Sequence, residues 1–267
     1  MNKTHTFRSL HQDPKHPLIL ANAWDAASAR IVESLGAPAV ATSSAAVAWA
    51  LGYPDGGQLP PAKLALLAES IVNVVNVPVS FDVEGGYSDD PATVVENLKP
   101  VFDAGVVGIN IEDGSGSSAL LARKIEAIKA AAAAMKIDVF VNARTDVYLA
   151  DLVTDGKKVE ETLVRAKAYQ DAGADGLFVP CLTDVTEIGY ITRHIELPVN
   201  LMVMPGLPKA SVLAQLNVRR LSAGGALSKL IWAQFASLSK RFLAEGESKS
   251  LVGESMGYSN LQKLFTH

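Results

Sequence analysis

Cysteine is nearly absent from this 267-residue chain. With Cys181 as its one thiol, the chain can form neither an intrachain disulfide nor a thiolate zinc cage. Long apolar runs are missing too: stretches such as Ala45–Leu51 fall far short of the roughly 20 residues a membrane helix needs. Charge of one sign is not in excess. The net charge is -4 and no Lys/Arg cluster exceeds a few residues, so neither nucleic acid nor an anionic membrane is an expected partner. The five histidines (His5, His11, His16, His194, His267) form no metal-ligating pattern. Met1–Lys15 is polar and carries no apolar stretch of signal-peptide type, so a reducing cytoplasm is the expected location.

What is there suits one sizeable core. Hydrophobic residues make up 49% and charged residues 19%, too apolar a mix for a disordered chain. Short apolar runs, mostly β-branched, recur at Leu18–Ala21, Ala39–Thr42, Val77–Phe81, Val107–Ile111, Val139–Asn142, Gly176–Val179, Val199–Met202 and Arg220–Ser222. Segments of helical period separate them: Ala26–Leu35, Leu59–Val75, Pro91–Ala104, Ala119–Met135, Val159–Ala172, Val185–His194, Lys209–Leu216 and Leu227–Glu245. Continuous apolar strands alternating with amphipathic helices predict a parallel sheet buried on both faces. Asp25 and Asp90-Pro91 read as helix starts, and Gly36, Gly105 and Gly173 as left-handed helix ends.

Eight such units suit a closed (β/α)8 TIM barrel over residues 1–245, with 246–267 as a tail that turns apolar at Leu261, Leu264 and Phe265. A doubly wound nucleotide fold would show Gly-x-Gly-x-x-Gly after its first strand; Asn22-Ala23-Trp24-Asp25 stands there instead. No Walker sequence is present.

Barrel chemistry sits at the C-terminal strand ends. The third strand ends in Asp82-Val83-Glu84, where two acids two residues apart share a face in extended chain, roughly 6.6 Å apart. The fourth ends in Glu112-Asp113 and the fifth in Arg144-Thr145-Asp146. Strand-end acids also cap helices or pair with a neighbouring Arg. Their clustering on consecutive strands favours a site. Oxygen-only ligands select Mg2+ or Mn2+, with Asp82, Glu84 and Glu112 around it. Arg144 is then expected to fork onto a substrate carboxylate, and Asp146 either joins the site or only holds Arg144. The amides of Ser43 and Ser44 suit an oxyanion, although small residues there equally suit close helix packing. Asp55, in the turn-rich Leu51–Gly57 loop, fits either the surroundings of the metal or an Asx-turn. Trp24 and Trp49 either wall the pocket or pack, with packing the safer reading; Cys181 either faces the pocket or, as a lone Cys more often does, fills the core, and is not expected to be a nucleophile.

Taken together and in order, several motifs resemble the isocitrate lyase/phosphoenolpyruvate mutase superfamily over nearly the whole chain. They are Asn22–Arg30, Thr42-Ser43-Ser44, Leu51–Gly56, Asp82-Val83-Glu84-Gly85-Gly86-Tyr87, Gly108–Asp113, Asn142–Asp146 and Gly173–Phe178. The resemblance implies a Mg2+-dependent barrel whose members make or break C–C or P–C bonds next to a 2-oxo acid. It implies that Asp82, Glu84 and Glu112 surround the metal, some through water, with Asp55 close by. It further implies that Ser43, Ser44 and Arg144 hold the substrate, and that Asn200, at the end of the seventh strand, contacts it. The same resemblance implies a last helix swapped between subunits of a homodimer or homotetramer, and the apolar tail then suits docking on a partner subunit.

Two departures narrow the activity. Isocitrate-type lyases carry a Lys-Arg-Cys-Gly-His lid after the fourth strand, where this chain has Asp113-Gly114-Ser115-Gly116-Ser117-Ser118-Ala119. Where those lyases place a Glu after the sixth strand, Val179-Pro180-Cys181 stands. The expectation is therefore a lyase that cleaves or forms a C–C bond beside a small 2-oxo acid or dicarboxylate through an enolate, with Asp55 and Arg144 as catalytic residues. The alternatives are a phosphonate P–C mutase or hydrolase, for which Lys124 is the further cation at hand, and a non-catalytic 2-oxo acid binding protein.

Overall fold

The computed structural model describes residues 2–248, 251–252 and 255–266. Eight strands form one parallel sheet: β1 (Leu18–Leu20), β2 (Val40–Ala41), β3 (Val79–Asp82), β4 (Gly108–Glu112), β5 (Phe140–Arg144), β6 (Gly176–Phe178), β7 (Val199–Met202) and β8 (Val218–Ser222). Their order is β1-β8-β7-β6-β5-β4-β3-β2. Beyond β1 and β2, a parallel bridge between Ala23 and Thr42 joins the two ends of the sheet and closes the barrel. The strands bury apolar side chains against an outer ring of helices: α2 (Ala26–Ser34), α4 (Pro61–Val72), α5 (Pro91–Asp103), α6 (Ser118–Ala134), α7 (Lys158–Asp171), α8 (Val185–His194) and α9 (Ala210–Gln215). This is the expected (β/α)8 barrel.

Local chemistry sets the helix boundaries. Asp25 caps α2 by accepting from the Ser28 amide at 2.7 Å, and Ser28 answers the Asp25 amide in a capping box. Asp90 caps α5 and Pro91 occupies its first turn, where a missing N–H costs nothing. Gly105 and Gly173 take φ of 98° and 97° just past α5 and α7, conformations that a Cβ would strain.

Among the described residues, three α-helices lie outside the predicted set. α1 (Lys3–Leu10) closes the N-terminal end of the barrel, with Phe7 fully buried against Phe140. His11 follows it and stacks on Phe140 at 4.3 Å between ring centroids. α3 (Ser44–Ala50) is capped by Ser43. In the tail, α11 (Tyr258–Phe265) lies on α2 of its own chain, where Arg30 Nε donates to the Leu264 carbonyl at 2.6 Å. That contact satisfies a C-terminal helix carbonyl, so within one chain the tail already has a seat.

The helix left with apolar residues in the open is α10 (Ala226–Glu245). Leu230, Ile231, Phe235 and Leu243 along it are all at least half exposed, and only Ser228 is buried. Among the described residues, no helix is long and apolar enough to cross a membrane.

Candidate active site

At the C-terminal strand ends lies a cavity of about 180 Å³ lined by Ser43, Ser44, Asp55, Asp82 and Arg144. Five of the eight expected site residues therefore meet in one place. Asp82 is the last residue of β3 and pairs in register with Asn110 of β4. Its amide donates to Thr42 Oγ1 at 3.0 Å, tying β3 to the β2–α3 corner. Burial pushes its carboxyl above the ordinary range, with the pull of Arg144 opposing and the charge of Asp55 adding.

Glu84 does not share the face of Asp82. Its φ of 50° turns the chain left-handed just beyond β3, so the two-residue period stops there. The side chain accepts from the Gly57 amide beneath the Asp55 loop, and the Glu84 amide donates to Asp82 Oδ1 at 3.2 Å. Glu84 Oε1 is buried without a hydrogen-bond partner.

Glu112 pairs in register with Arg144 and meets Arg144 Nη1 through Oε2 at 2.7 Å. Burial pushes its carboxyl up to about 8; Arg144 pulls the other way, while Asp82, Asp146 and Glu84 add to the rise. Arg144 itself is not a free fork. Its Nε and Nη2 donate to the two oxygens of Asp146 at 2.6 and 3.0 Å, and it lies over the Phe178 ring. Three of its five N–H groups are thereby engaged, and two remain for a ligand.

The oxyanion expectation divides between the two serines. The Ser43 amide donates to the Ala23 carbonyl at 3.1 Å, across the seam that closes the barrel, and is not available. Ser44 and Ala45 occupy the first turn of α3, where amides have no intrahelical acceptor. Asn200 lies below the cavity. Its Nδ2 donates to Ser222 Oγ at 3.1 Å, and Ser222 rather than Asn200 lines the wall.

Asp113 anchors structure. Its fully buried carboxylate accepts from Arg165 Nη1 at 2.8 Å, from the Tyr169 hydroxyl and from the Asp146 amide at 2.9 Å. Lys124 donates to the Gly85 carbonyl at 2.8 Å and faces a separate cavity beside the Asp113–Ser117 loop. Cys181 does not line the central cavity, and burial pushes its thiol up.

Among the described residues, no three His, Cys, Asp or Glu side chains converge closely enough to cage an ion by themselves. A hard cation that keeps most of its water, as Mg2+ does, needs only one or two carboxylates. Asp82 at the cavity wall and the unpartnered Glu84 Oε1 beneath it fit that mode.

Residues missed from the sequence complete the site. Asn22 ties three corners together: Nδ2 donates to the Thr42 carbonyl at 2.7 Å, and Oδ1 accepts from the Gly224 amide at 2.9 Å. Its signal was a polar residue directly after an apolar strand. Arg220, 1% exposed, points into the barrel and donates to Asn110 Oδ1 at 3.2 Å; burial lowers it to about 10. The alternation Val218, Arg220, Ser222 carried that signal. Lys229 on α10 also lines the cavity, and nothing in the sequence sets it apart from other helix lysines.

The chain is similar to known proteins over most of its length. The family model described as phosphoenolpyruvate phosphomutase matches residues 7–243. An uncharacterised protein of Mycobacterium tuberculosis is 37% identical over 262 residues, 96% of this chain and 95% of that protein. Oxaloacetate decarboxylase 1 of Pseudomonas fluorescens is 29% identical over 225 residues, 82% of this chain and 78% of the relative. A crystal structure from Burkholderia cenocepacia, provisionally named a phosphonomutase, superposes with a TM-score of 0.85 at 40% identity, covering 90% of this chain and all of that one.

Proposed function

Because the chain belongs to the isocitrate lyase/phosphoenolpyruvate mutase superfamily, we propose that it is a Mg2+-dependent enzyme that cleaves or forms a C–C bond beside a small 2-oxo acid. The single observation that carries this reading is the cavity at the strand ends, lined by Asp55, Asp82, Arg144 and the first turn of α3. When bound beside Asp82, the cation supplies Lewis-acid stabilisation of developing enolate charge.

The chain's own residues do the rest. Two N–H groups of Arg144 hold the C1 carboxylate, and Asp146 and Glu112 keep the guanidinium from turning. The amides of Ser44 and Ala45 face the same end of the substrate, where they lower the energy of an oxyanion more than that of the ground-state carbonyl. Asp55, on the exposed loop whose Gly57 amide meets Glu84, lines the same cavity and is the carboxylate we assign to proton transfer. With only Asp113–Ala119 after β4, solvent reaches the enolate carbon and serves as proton donor.

Activity is tested by mixing protein, Mg2+ and oxaloacetate or 2-methylmalate-type acids and following pyruvate. Binding without product would favour a non-catalytic 2-oxo acid binder, which the short loop after β4 would suit. The relative provisionally named a phosphonomutase favours a second reading, P–C bond chemistry, and phosphonopyruvate in the same assay separates the two.

The exposed apolar residues of α10 support a homodimer or homotetramer in which this helix is covered by a second copy.

A further inference from the structure

Four charged side chains line the central cavity: Asp55, Asp82, Arg144 and Lys229. The two acids belong to the cation side, and the charge of Arg144 is already met by Asp146 and Glu112. Lys229 makes no ion pair and no side-chain hydrogen bond among the described residues, so its three donors are free.

The side chain lines the cavity although the residue is exposed. A Cβ placed on Gly225 would meet Lys229 Cε at 3.9 Å and Ser43 Oγ at 3.7 Å, so the stem folds back over Gly225 toward the Ser43 corner. The helix that carries it is pinned there. Trp232, one turn on and on the same face, packs between Trp24 and Trp49, at 5.9 Å from each ring centroid. Trp49 itself lines the cavity.

Resting on the 2-oxo acid reading, we propose that Lys229 is the specificity-determining residue that receives a second, distal anionic group, so that the site selects dianionic over monoanionic acids. A substrate whose C1 end faces Arg144 and the cation must keep any distal carboxylate away from Asp55 and Asp82. Lys229 is the one lining cation, among the described residues, with no anion of its own. A distal methyl in the same place leaves the ammonium with water alone. A compact ammonium on a flexible stem tolerates carboxylates at slightly different depths, where a guanidinium fork would fix one geometry.

Calorimetric titration in the presence of Mg2+ tests this with oxalate, malate and 2-hydroxybutyrate. Oxalate reaches only the cation and Arg144, while malate and 2-hydroxybutyrate differ by a carboxylate in place of a methyl. The wild-type chain should bind malate about tenfold tighter than 2-hydroxybutyrate. Lys229→Met should bring the two within about twofold and leave oxalate affinity as it was, and Lys229→Arg should restore the preference. A Lys229→Met chain that keeps the malate preference overturns the proposal and leaves the proposed reaction standing. Equal loss of oxalate and malate in that variant also overturns it, since the effect is then not distal. A wild-type chain that binds no oxalate with Mg2+ sinks the parent reading and this one with it.

Discussion

Adding Mg2+ should stabilise the fold, and the effect should grow from pH 6 to pH 8. Glu112 sets the direction. Its folded carboxyl is pushed up to about 8 from the usual 4.5, so between those values the folded chain holds a proton that the unfolded chain has lost. Stability of the metal-free protein therefore falls as pH rises through that window, by at most about 1.4 kcal/mol per pH unit for one proton. A divalent cation bound beside Asp82 would offset the Asp82 and Glu84 charges that help to hold that proton, and so would flatten the slope. At a hundred times its dissociation constant, the ion adds about 2.7 kcal/mol, a rise of roughly 5–11 °C in Tm for a chain of this size. Scanning calorimetry with and without MgCl2 at pH 6 and 8 reads both quantities. Glu112→Gln should flatten the metal-free pH slope, and Asp82→Asn should abolish the Mg2+ shift. An equal Tm with and without Mg2+ at pH 8, or a full shift retained in Asp82→Asn, would refute the reasoning.

Asp113→Ala leaves the Tyr169 hydroxyl and the Asp146 amide without their acceptor and Arg165 with Glu161 and the Gly116 carbonyl alone; it should cost about 1–3 kcal/mol in urea unfolding, the usual penalty for a buried donor left unsatisfied. Ile231→Glu together with Phe235→Glu places charge on the open face of α10 and should shift sedimentation toward the single chain. Lys229→Met should equalise malate and 2-hydroxybutyrate affinities in the titration described above.

The barrel was legible because two periods alternate along the chain. Apolar runs at β3, β4 and β5 need no partner pattern to be recognised as strands buried on both sides, and Asp25 and Asp90 announce the helices that follow. α1 escaped notice because its burial rests on Phe7 and Thr4, too few apolar residues to set a period. At the site, Asp82, Glu112 and Arg144 were readable as strand ends. Glu84 was readable as a neighbour of Asp82 but its orientation was not, because an alternation argument holds only while the backbone stays extended, and φ turns positive at that residue. The closing of the Arg144 fork onto Asp146 depends on a side-chain rotamer, and the inward fold of Lys229 on where α10 leaves the barrel. Neither has a signature in residue spacing.

The charges around the cavity also fix an order of events. Asp55 and Asp82 line it; Glu84 lends its amide to Asp82, and Glu112 and Asp146 hold Arg144. Against these five carboxylates stand Arg144, Lys229 and the buried Arg220, which shares Asn110 with the cavity wall. Above about pH 8, where Glu112 also gives up its proton, the site with the remaining acids ionised is short by two positive charges, the charge of one Mg2+. A dianionic acid entering first would meet a negative field strengthened by burial, so the cation must bind before the substrate. At a pH above 8, malate titrated into chelator-treated protein should give no measurable heat of binding, and the same titration after Mg2+ should saturate. Binding of malate with unchanged affinity in the absence of any divalent ion would show that the five acids are not charged together, and the case for a resident cation would go with it.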